Sequence, residues 1–200
     1  MSAYIKIAPN ATQMNEQKDA SYRKIKKLQN FYNTVPNIIW SLLGFAPVSV
    51  FCYQYMQPAL IYIFLAISMI PLLLPNIFLD KIQISKSARL YKKMGVGFIN
   101  RYAQNGAIIN DLIKKQFPQF KVVAFKRQST KQLIQQTYIF EKFHFILFVF
   151  FSLVTVYAMV KQYFLWAFVI ALTNIIYNIY PNLLQQYIRI KLKHRKTTEK

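Results

Sequence analysis

Apolar residues fill most of two long stretches of this sequence. Residues 28–79 contain no charged side chain, and a polar segment at 53–58 divides them. A helix needs about 20 apolar residues to cross a bilayer core of about 30 Å. The first stretch therefore predicts two transmembrane helices, roughly 37–55 and 59–79, joined by a tight turn.

The second stretch covers residues 143–188, where the only permanent charge is Lys161, close to the middle. This pattern predicts a third span at 143–160, a turn at 161–164 and a fourth span at 165–187. The predicted fold is an all-α, polytopic membrane protein. Its four transmembrane helices form two hairpins, with a basic, partly helical cytoplasmic loop between them.

Polar segments surround the two predicted hairpins at 36–79 and 143–188. Residues 1–20 are expected to be a mobile tail, and residues 21–32 have the apolar spacing of a short helix on an anionic membrane surface or of an ordinary solvated helix. The central loop at 80–142 and the tail at 189–200 are strongly basic.

Helix signals recur within the central loop. Residues 87–102 and 107–116 predict helices separated by a turn at 105–106, and Pro118 ends the second one. Ser129 is a good N-cap for a helix that continues into the third span.

The charge distribution orients the chain. There are 26 Lys and Arg against 6 Asp and Glu, and all of the bases except Lys161 lie outside the two predicted turns. Basic segments next to spans remain cytoplasmic, so both termini and the central loop are expected on the cytoplasmic side. Nucleic acid is a less favoured partner, because the aromatic residues lie mostly in charge-free runs. Cys52 is the only cysteine, which excludes an internal disulfide. No metal or other cofactor is expected.

The two halves resemble each other at a shift of 106 residues. Pro75 and Asn76 then align with Pro181 and Asn182, and the two turns align without a gap. Identity elsewhere is slight, so two similar hairpins and a true duplication both remain open. A parallel repeat would place a ligand between the hairpins.

Glu141 and His144 are the first candidate for chemistry. Residues three apart on a helix share a face, and a carboxylate beside an imidazole raises its basicity, as a general base requires. The alternative is a polar pair that anchors the helix at the membrane interface.

The end of the fourth span carries a second polar group. Pro181 removes a backbone donor and leaves the Tyr177 carbonyl without a helical partner. Amides at this depth are costly unless they bond to one another, to a neighbouring helix or to a ligand. Arg189 could bind a phosphate, a carboxylate or lipid headgroups. The predicted substrate-binding residues are Asn178, Asn182, Gln185, Gln186, Tyr187 and Arg189.

These residues resemble the pattern of a known family. Thr137, Glu141 and His144, followed one hairpin later by Asn178, Gln185, Tyr187, Arg189 and Leu192, are similar to the small bacterial glycosyl-4,4'-diaponeurosporenoate acyltransferases. The resemblance covers roughly residues 91–192 and is stronger after residue 132. It implies a bacterial inner-membrane enzyme that transfers a fatty acyl group to the sugar of a glycosylated carotenoid, with His144 as the base. The chain departs from the family pattern at Ile139, Ile188 and Lys191.

Two functions follow from the sequence. In the first, His144 deprotonates a sugar hydroxyl, Glu141 orients the imidazole, and Arg189 with the central-loop lysines binds the phosphates of an acyl donor. In the second, the chain is a non-catalytic scaffold, lipid-binding protein or partner subunit. A proton-coupled exporter is disfavoured, because the predicted spans contain no Asp or Glu. The expected partners are anionic membrane lipids, an acyl donor and a glycolipid acceptor, and homo-oligomerisation is left open.

Overall fold

The computed structural model describes residues 11–102, 106–118 and 129–198, and within these ranges the chain forms helices and no strands. A 3-10 turn spans Ile70–Leu73 and a π-helical turn spans Ile175–Ile179. The α-helices are α1 (Ala11–Tyr55), α2 (Pro58–Ser68), α3 (Asn76–Lys81), α4 (Ala88–Lys93), α5 (Val96–Tyr102), α6 (Ala107–Gln116), α7 (Thr130–Val160), α8 (Phe164–Asn174) and α9 (Tyr180–Thr198).

Three helical segments in the described chain are long and apolar enough to cross a membrane: Asp19–Tyr55, Thr130–Val160 and Phe164–His194. The prediction of four spans is thus confirmed for three. The fourth apolar segment, Pro58–Leu73, is shorter than 18 residues. Its helix does not run unbroken to residue 79, because Pro71 and Pro75 each lack the N–H that would continue the hydrogen-bond ladder.

Helix α1 is one continuous element of 45 residues. Residues 11–20, expected to be a tail, are helical, and the helix expected at 21–32 is part of α1. Residues 11–35 contain no glycine or proline that would break it. At about 1.5 Å per residue the helix is about twice as long as a bilayer core is thick. Its basic first half consequently extends beyond the apolar part of the molecule.

The hairpin of α7 and α8 forms the centre of the molecule. Helix α1 packs on α8, and α2 packs on α7, so the two arms of the first predicted hairpin bind the second hairpin more than each other. The core joins Phe51 of α1, Phe151 and Val154 of α7, and Ile170 of α8. These side chains are fully buried, so they hold the three long helices together.

An aromatic cluster closes the end of the molecule that carries both turns. The ring of Phe51 contacts Tyr157 and Trp166, and the ring of Tyr55 lies 4.6 Å from that of Tyr163. The Tyr157 hydroxyl donates to the backbone carbonyl of Tyr55 at 3.0 Å. Tyr and Trp are enriched at membrane interfaces, which is consistent with their position at helix ends.

The central segment covers the opposite end. Helices α4 and α5 pack on α9, and α6 packs on the first half of α1 through Ile109 and Ile113. The helix predicted at 87–102 is broken at Gly95, whose φ of +82° favours glycine. The helix predicted at 107–116 is observed with those bounds. Residue 105 and the basic residues Lys121, Lys126 and Arg127 lie outside the described chain.

The N-terminus of α7 carries the predicted cap. The Ser129 hydroxyl accepts from the backbone N–H of Gln132 at 3.2 Å, and the Gln132 side chain accepts from the backbone N–H of Ser129 at 2.9 Å. This reciprocal capping box satisfies two donors and defines where the helix begins.

Candidate functional site

A buried ion pair joins α7 to α9. Glu141 on α7 and Arg189 on α9 are 2% and 0% exposed, and Nη1 of Arg189 donates to Oε2 of Glu141. The other carboxylate oxygen, Oε1, accepts from Nε2 of Gln186 at 2.7 Å. Both oxygens of Glu141 are therefore bound by α9. A buried charge is stable only when it is paired and hydrogen-bonded in this way.

Arg189 also binds the segment that precedes α4. Its Nη2 donates to Oε1 of Gln83 at 3.3 Å, and its Nε lies 3.3 Å from Oδ1 of Asp80. The second contact has the distance of an ion pair but not the angle of a hydrogen bond. The guanidinium carbon lies 4.3 Å from the centre of the Tyr138 ring, a cation–π contact. Arg189 is thus surrounded by protein groups.

Asp80 connects this pair to the surface. The Tyr138 hydroxyl donates to its carboxylate at 2.8 and 2.9 Å, and Nζ of Lys193 lies 3.2 Å from Oδ1. With Glu141 and Arg189, these residues form a cluster of two acids and two bases. The cluster is electrically neutral, which limits the cost of placing it next to the apolar spans.

Gln186 links Glu141 to the central segment. Its Oε1 accepts from the Tyr91 hydroxyl of α4 at 2.9 Å, while its Nε2 donates to Glu141. The Tyr91 hydroxyl also accepts from the backbone N–H of Ser85 at 3.1 Å. Burial raises the pKa of Tyr91 above its usual value, although the backbone contact with Ser85 acts in the opposite direction. Tyr91 therefore stays protonated at neutral pH and holds the amide of Gln186.

His144 lies one helical turn after Glu141 but is not hydrogen-bonded to it. Its imidazole packs edge-to-face on the Tyr177 ring at 6.1 Å and lies beside the side chain of Asn178 and the backbone of Tyr177. Its Nδ1 is buried without a hydrogen-bond partner among the described groups. The imidazole consequently faces the π-helical turn before α9 and not the carboxylate of Glu141.

Two asparagines continue the polar surface on α8 and the π-helical turn. Nδ2 of Asn174 donates to the Phe148 carbonyl and to the Ser152 hydroxyl, both at 3.1 Å. Nδ2 of Asn178 donates to Oδ1 of Asn174 at 2.8 Å. Oδ1 of Asn178 is buried and has no hydrogen-bond partner in the described structure. The asparagine pair thus ends beside the imidazole of His144, with which the Asn178 side chain interacts.

Asn182 supplies another unused acceptor one turn further along. Its Oδ1 is buried and lacks a hydrogen-bond partner among the described groups. The residue follows Pro181, and the π-helical turn Ile175–Ile179 lies just before that proline. Single π turns inside α-helices are frequent at functional sites. Buried polar atoms without partners cost free energy, so a group of them is a candidate ligand site.

The remaining predicted residues, Gln185 and Tyr187, lie on α9. Tyr187 is buried in the contact between α9 and the central segment, with its ring 6.5 Å from that of Tyr91. Gln185 is half-buried on α9. The structure brings Glu141, Gln186 and Arg189 into one cluster and places His144 beside Asn178. It separates the two groups, since neither oxygen of Glu141 binds the imidazole.

Five residues of the charged cluster were not predicted: Asp80, Gln83, Tyr91, Tyr138 and Lys193. The shift of 106 residues that relates the two halves places Asp80 on Gln186 and Gln83 on Arg189. That alignment could have identified two of them. The other three join the cluster through long-range packing that no local spacing reveals. Among the described residues, no group of His, Cys, Asp and Glu could hold a metal ion.

Both groups of polar side chains lie in one part of the sequence. Residues 75–195, more than half of the chain, match the glycosyl-4,4'-diaponeurosporenoate acyltransferase family. No curated protein and no solved structure matches the chain. The match begins at the N-cap of α3 and includes Asp80, Glu141, His144 and Arg189. The chain is thus a membrane protein that belongs to the glycosyl-4,4'-diaponeurosporenoate acyltransferase family.

Proposed function

We propose that this protein is a membrane acyltransferase that moves a fatty acyl group to a hydroxyl of a glycosylated lipid or carotenoid. One observation carries the proposal: the buried Nδ1 of His144 and Oδ1 of Asn178 and Asn182 make no hydrogen bond of good geometry in the described structure, although His144 lies close enough to Asn178 and the Tyr177 backbone to interact with both. All three lie within the residues that match the acyltransferase family. A sugar headgroup offers several hydroxyl donors to such acceptors.

The imidazole of His144 is the general base of the proposed reaction. A neutral imidazole has one nitrogen with a free lone pair, which takes the proton of the acceptor hydroxyl. The hydroxyl oxygen forms a bond to the acyl carbonyl carbon, and the bond from that carbon to the donor's leaving group breaks. The imidazolium then returns its proton to the leaving group. The amide oxygens of Asn178 and Asn182 orient the sugar by accepting from its other hydroxyls.

Glu141 acts in this proposal as a positioning residue. Its carboxylate is bound by Gln186 and Arg189, so it fixes α7 against α9. That contact holds His144 beside Asn178 and the backbone of Tyr177. The role first expected for Glu141, a direct hydrogen bond that orients the imidazole, would require it to leave these partners.

The phosphates of an acyl donor would bind exposed bases at the same end of the molecule. Arg189 is completely buried and bound to Glu141, Asp80 and Gln83, so it is poorly placed for that role. Lys81, Lys86 and Lys191 are exposed near the charged cluster. Their ammonium groups suit phosphate oxygens.

A non-catalytic scaffold or lipid-binding protein is the second candidate. The observation in its favour is the neutral charged cluster, because a buried ion pair whose carboxylate is hydrogen-bonded at both oxygens can simply cross-link helices. The two candidates differ in whether His144 is needed for a product.

The deciding experiment is a comparison of lipid extracts by mass spectrometry from cells that make glycosylated lipids or carotenoids. We expect an acylated product with the wild-type chain and with His194→Ala, and its loss with His144→Ala and His144→Gln. His194 is a matched control because it is the second histidine and lies exposed near the end of α9. If all three variants make the same product at equal protein levels, the catalytic assignment fails and the scaffold is favoured.

A further inference from the structure

Helices α4 and α5 have apolar side chains on two different sides. One side is buried against α9, where Tyr91 and Val96 pack with Leu183, Leu184 and Tyr187. The other side is open to the surroundings. It carries four large side chains at intervals of four residues: Leu90, Met94, Phe98 and Tyr102, which are 39%, 36%, 66% and 44% exposed. We call these four residues the outer stripe.

The outer stripe is flanked by bases. Arg89, Lys92, Lys93 and Arg101 are all exposed. The ion pairs of the described chain involve Arg189 and Lys193 and leave these four bases unpaired. Large apolar side chains interleaved with unpaired bases are typical of a segment that lies in a membrane interface. A surface that faces only water rarely exposes so many large apolar side chains within so short a segment.

The depth of α4 and α5 agrees with an interface position. They pack on residues 183–190 of α9, at the end of the third spanning segment, just before the bases Lys191 and Lys193. At the C-terminal end of α5, Nε1 of Trp40 on α1 donates to the backbone carbonyl of Tyr102 at 3.3 Å. Tryptophan concentrates at the boundary between acyl chains and headgroups. Both neighbours therefore place α4 and α5 at the level where the spans leave the membrane.

We infer that α4 and α5 form a membrane-surface element, with the outer stripe inserted among acyl chains and the flanking bases bound to anionic lipid phosphates. The occupant is the leaflet of the same bilayer that the long helices cross. The short length of both helices and the bend at Gly95 let each one follow the plane of the membrane. Phe98, the most exposed of the four, inserts furthest.

The element is connected to the charged cluster. Tyr91 lies on α4 and holds Gln186, which in turn holds Glu141. Lipid bound to the outer stripe thereby restrains the segment that positions Gln186. The inference itself stands on exposure, charge and depth, and it holds whether or not the protein is an acyltransferase.

Depth-dependent fluorescence quenching tests this inference. The full chain with Cys52→Ala and Phe98→Cys is labelled with an environment-sensitive dye and placed in vesicles of phosphatidylglycerol and phosphatidylcholine. We expect blue-shifted emission that is strongly quenched by lipids with a spin label on the upper acyl chain and several-fold less by aqueous iodide. A label at Gln116→Cys, an exposed position on α6, is the matched control and should show the opposite pattern.

Two further variants and two contrary outcomes complete the test. Met94→Cys repeats the measurement at a second stripe position in case Phe98→Cys does not fold. Changing Arg89 and Lys93 to Gln should weaken lipid quenching mainly in vesicles rich in phosphatidylglycerol. Iodide quenching equal to that of the Gln116 control would overturn the inference. Shielding from both quenchers would also overturn it, since it would mean that a second copy or another protein covers the stripe.

Discussion

Arg189 and Gln83 touch each other and are 106 positions apart, the same shift that aligns the two halves of the sequence. Residues at equivalent positions of a repeat approach each other only near the axis that relates the two copies. If the two halves are a true duplication, this contact at 3.3 Å lies close to that axis, with the charged cluster around it. The ion pair of Arg189 with Glu141 is at the centre of this cluster.

Removing one partner of that ion pair should destabilise the protein more than removing both. Arg189→Met leaves the buried carboxylate of Glu141 without a counter-charge, which costs about 3–5 kcal/mol in comparable buried pairs. The double variant Glu141→Met with Arg189→Met should recover part of this loss. Thermal unfolding of the purified proteins in detergent measures these differences in stability, with Lys191→Met as an exposed control on the same helix. Equal stability of the single variant and the control would show that the pair is not a structural cross-link.

Tyr91→Phe should weaken the attachment of α4 and change the alkaline stability. The variant loses the hydrogen bond to Gln186, for which we expect about 0.5–1.5 kcal/mol at neutral pH. The pKa of Tyr91 is raised in the folded state, so the stability from its protonated form is present below the unfolded pKa and is lost as pH rises through the folded pKa. Unfolding free energies between pH 8 and pH 12 should thus fall less steeply for Tyr91→Phe than for wild type. If the unfolding free energy fell equally steeply with pH in both proteins, the raised pKa of Tyr91 would be contradicted.

Gly44 is expected to tolerate no side chain. A Cβ at this position would lie 2.5 Å from Cδ2 of Tyr177, so α1 and the π-helical turn would have to separate. Gly44→Ala should cost about 1–3 kcal/mol, as overpacking of a close contact does. Because Tyr177 also packs on His144, the variant should lower any acyl transfer as well. Gly97→Ala is the control, since a Cβ there meets nothing within 4 Å.

Ser129→Ala should loosen the beginning of α7. The substitution removes the side-chain acceptor of the capping box, for which we expect about 1 kcal/mol. Hydrogen exchange resolves the effect, because the backbone amides of residues 131–133 should exchange faster while those of the spanning part remain protected. If the exchange rates of these amides did not change, tertiary contacts alone would hold this end of the helix.

The two turns should face the side of the membrane opposite to the termini. Gln57 and Gln162 are exposed at the aromatic end, far from the charged cluster. Single cysteines at either position, in a Cys52→Ala background, should react with an impermeant maleimide added outside intact cells. A cysteine at Gln116 should react only after lysis. Labelling of Gln116 from outside would reverse the inside orientation expected from the basic segments.

The parts of the fold that depend on local signals were predictable. The helix at 107–116, the cap at Ser129 and the end of α7 at Val160 follow from turn residues and apolar runs, and all three are observed. The break before α3 was not predicted, because the apolar run at 59–79 continues through Pro71 and Pro75, where the regular α-helix is interrupted. The bend at Gly95 was also missed, since a single glycine does not reveal its φ.

Several residues of the candidate site could be predicted from the sequence, but most of their contacts could not. Glu141, Gln186 and Arg189 were identified because polar residues next to spans are conspicuous in sequence. Their pairing was not, because the partners are 45 and 48 residues apart and belong to different helices. The spacing of Glu141 and His144 suggested mutual contact, yet Glu141 is hydrogen-bonded to α9 and His144 lies beside the π-helical turn. Spacing on one helix defines which residues share a face, whereas neighbouring helices decide which of them bond.

The π-helical turn at Ile175–Ile179 amounts to one additional residue in the last spanning segment. If the same residues wound as regular α-helix, without the wide turn, everything after it would be rotated by about 100° about the helix axis. Gln186 and Arg189 would then turn away from Glu141, although every side chain of the cluster would still be present. The conformation of this one turn is therefore as much a part of the site as the identity of its side chains.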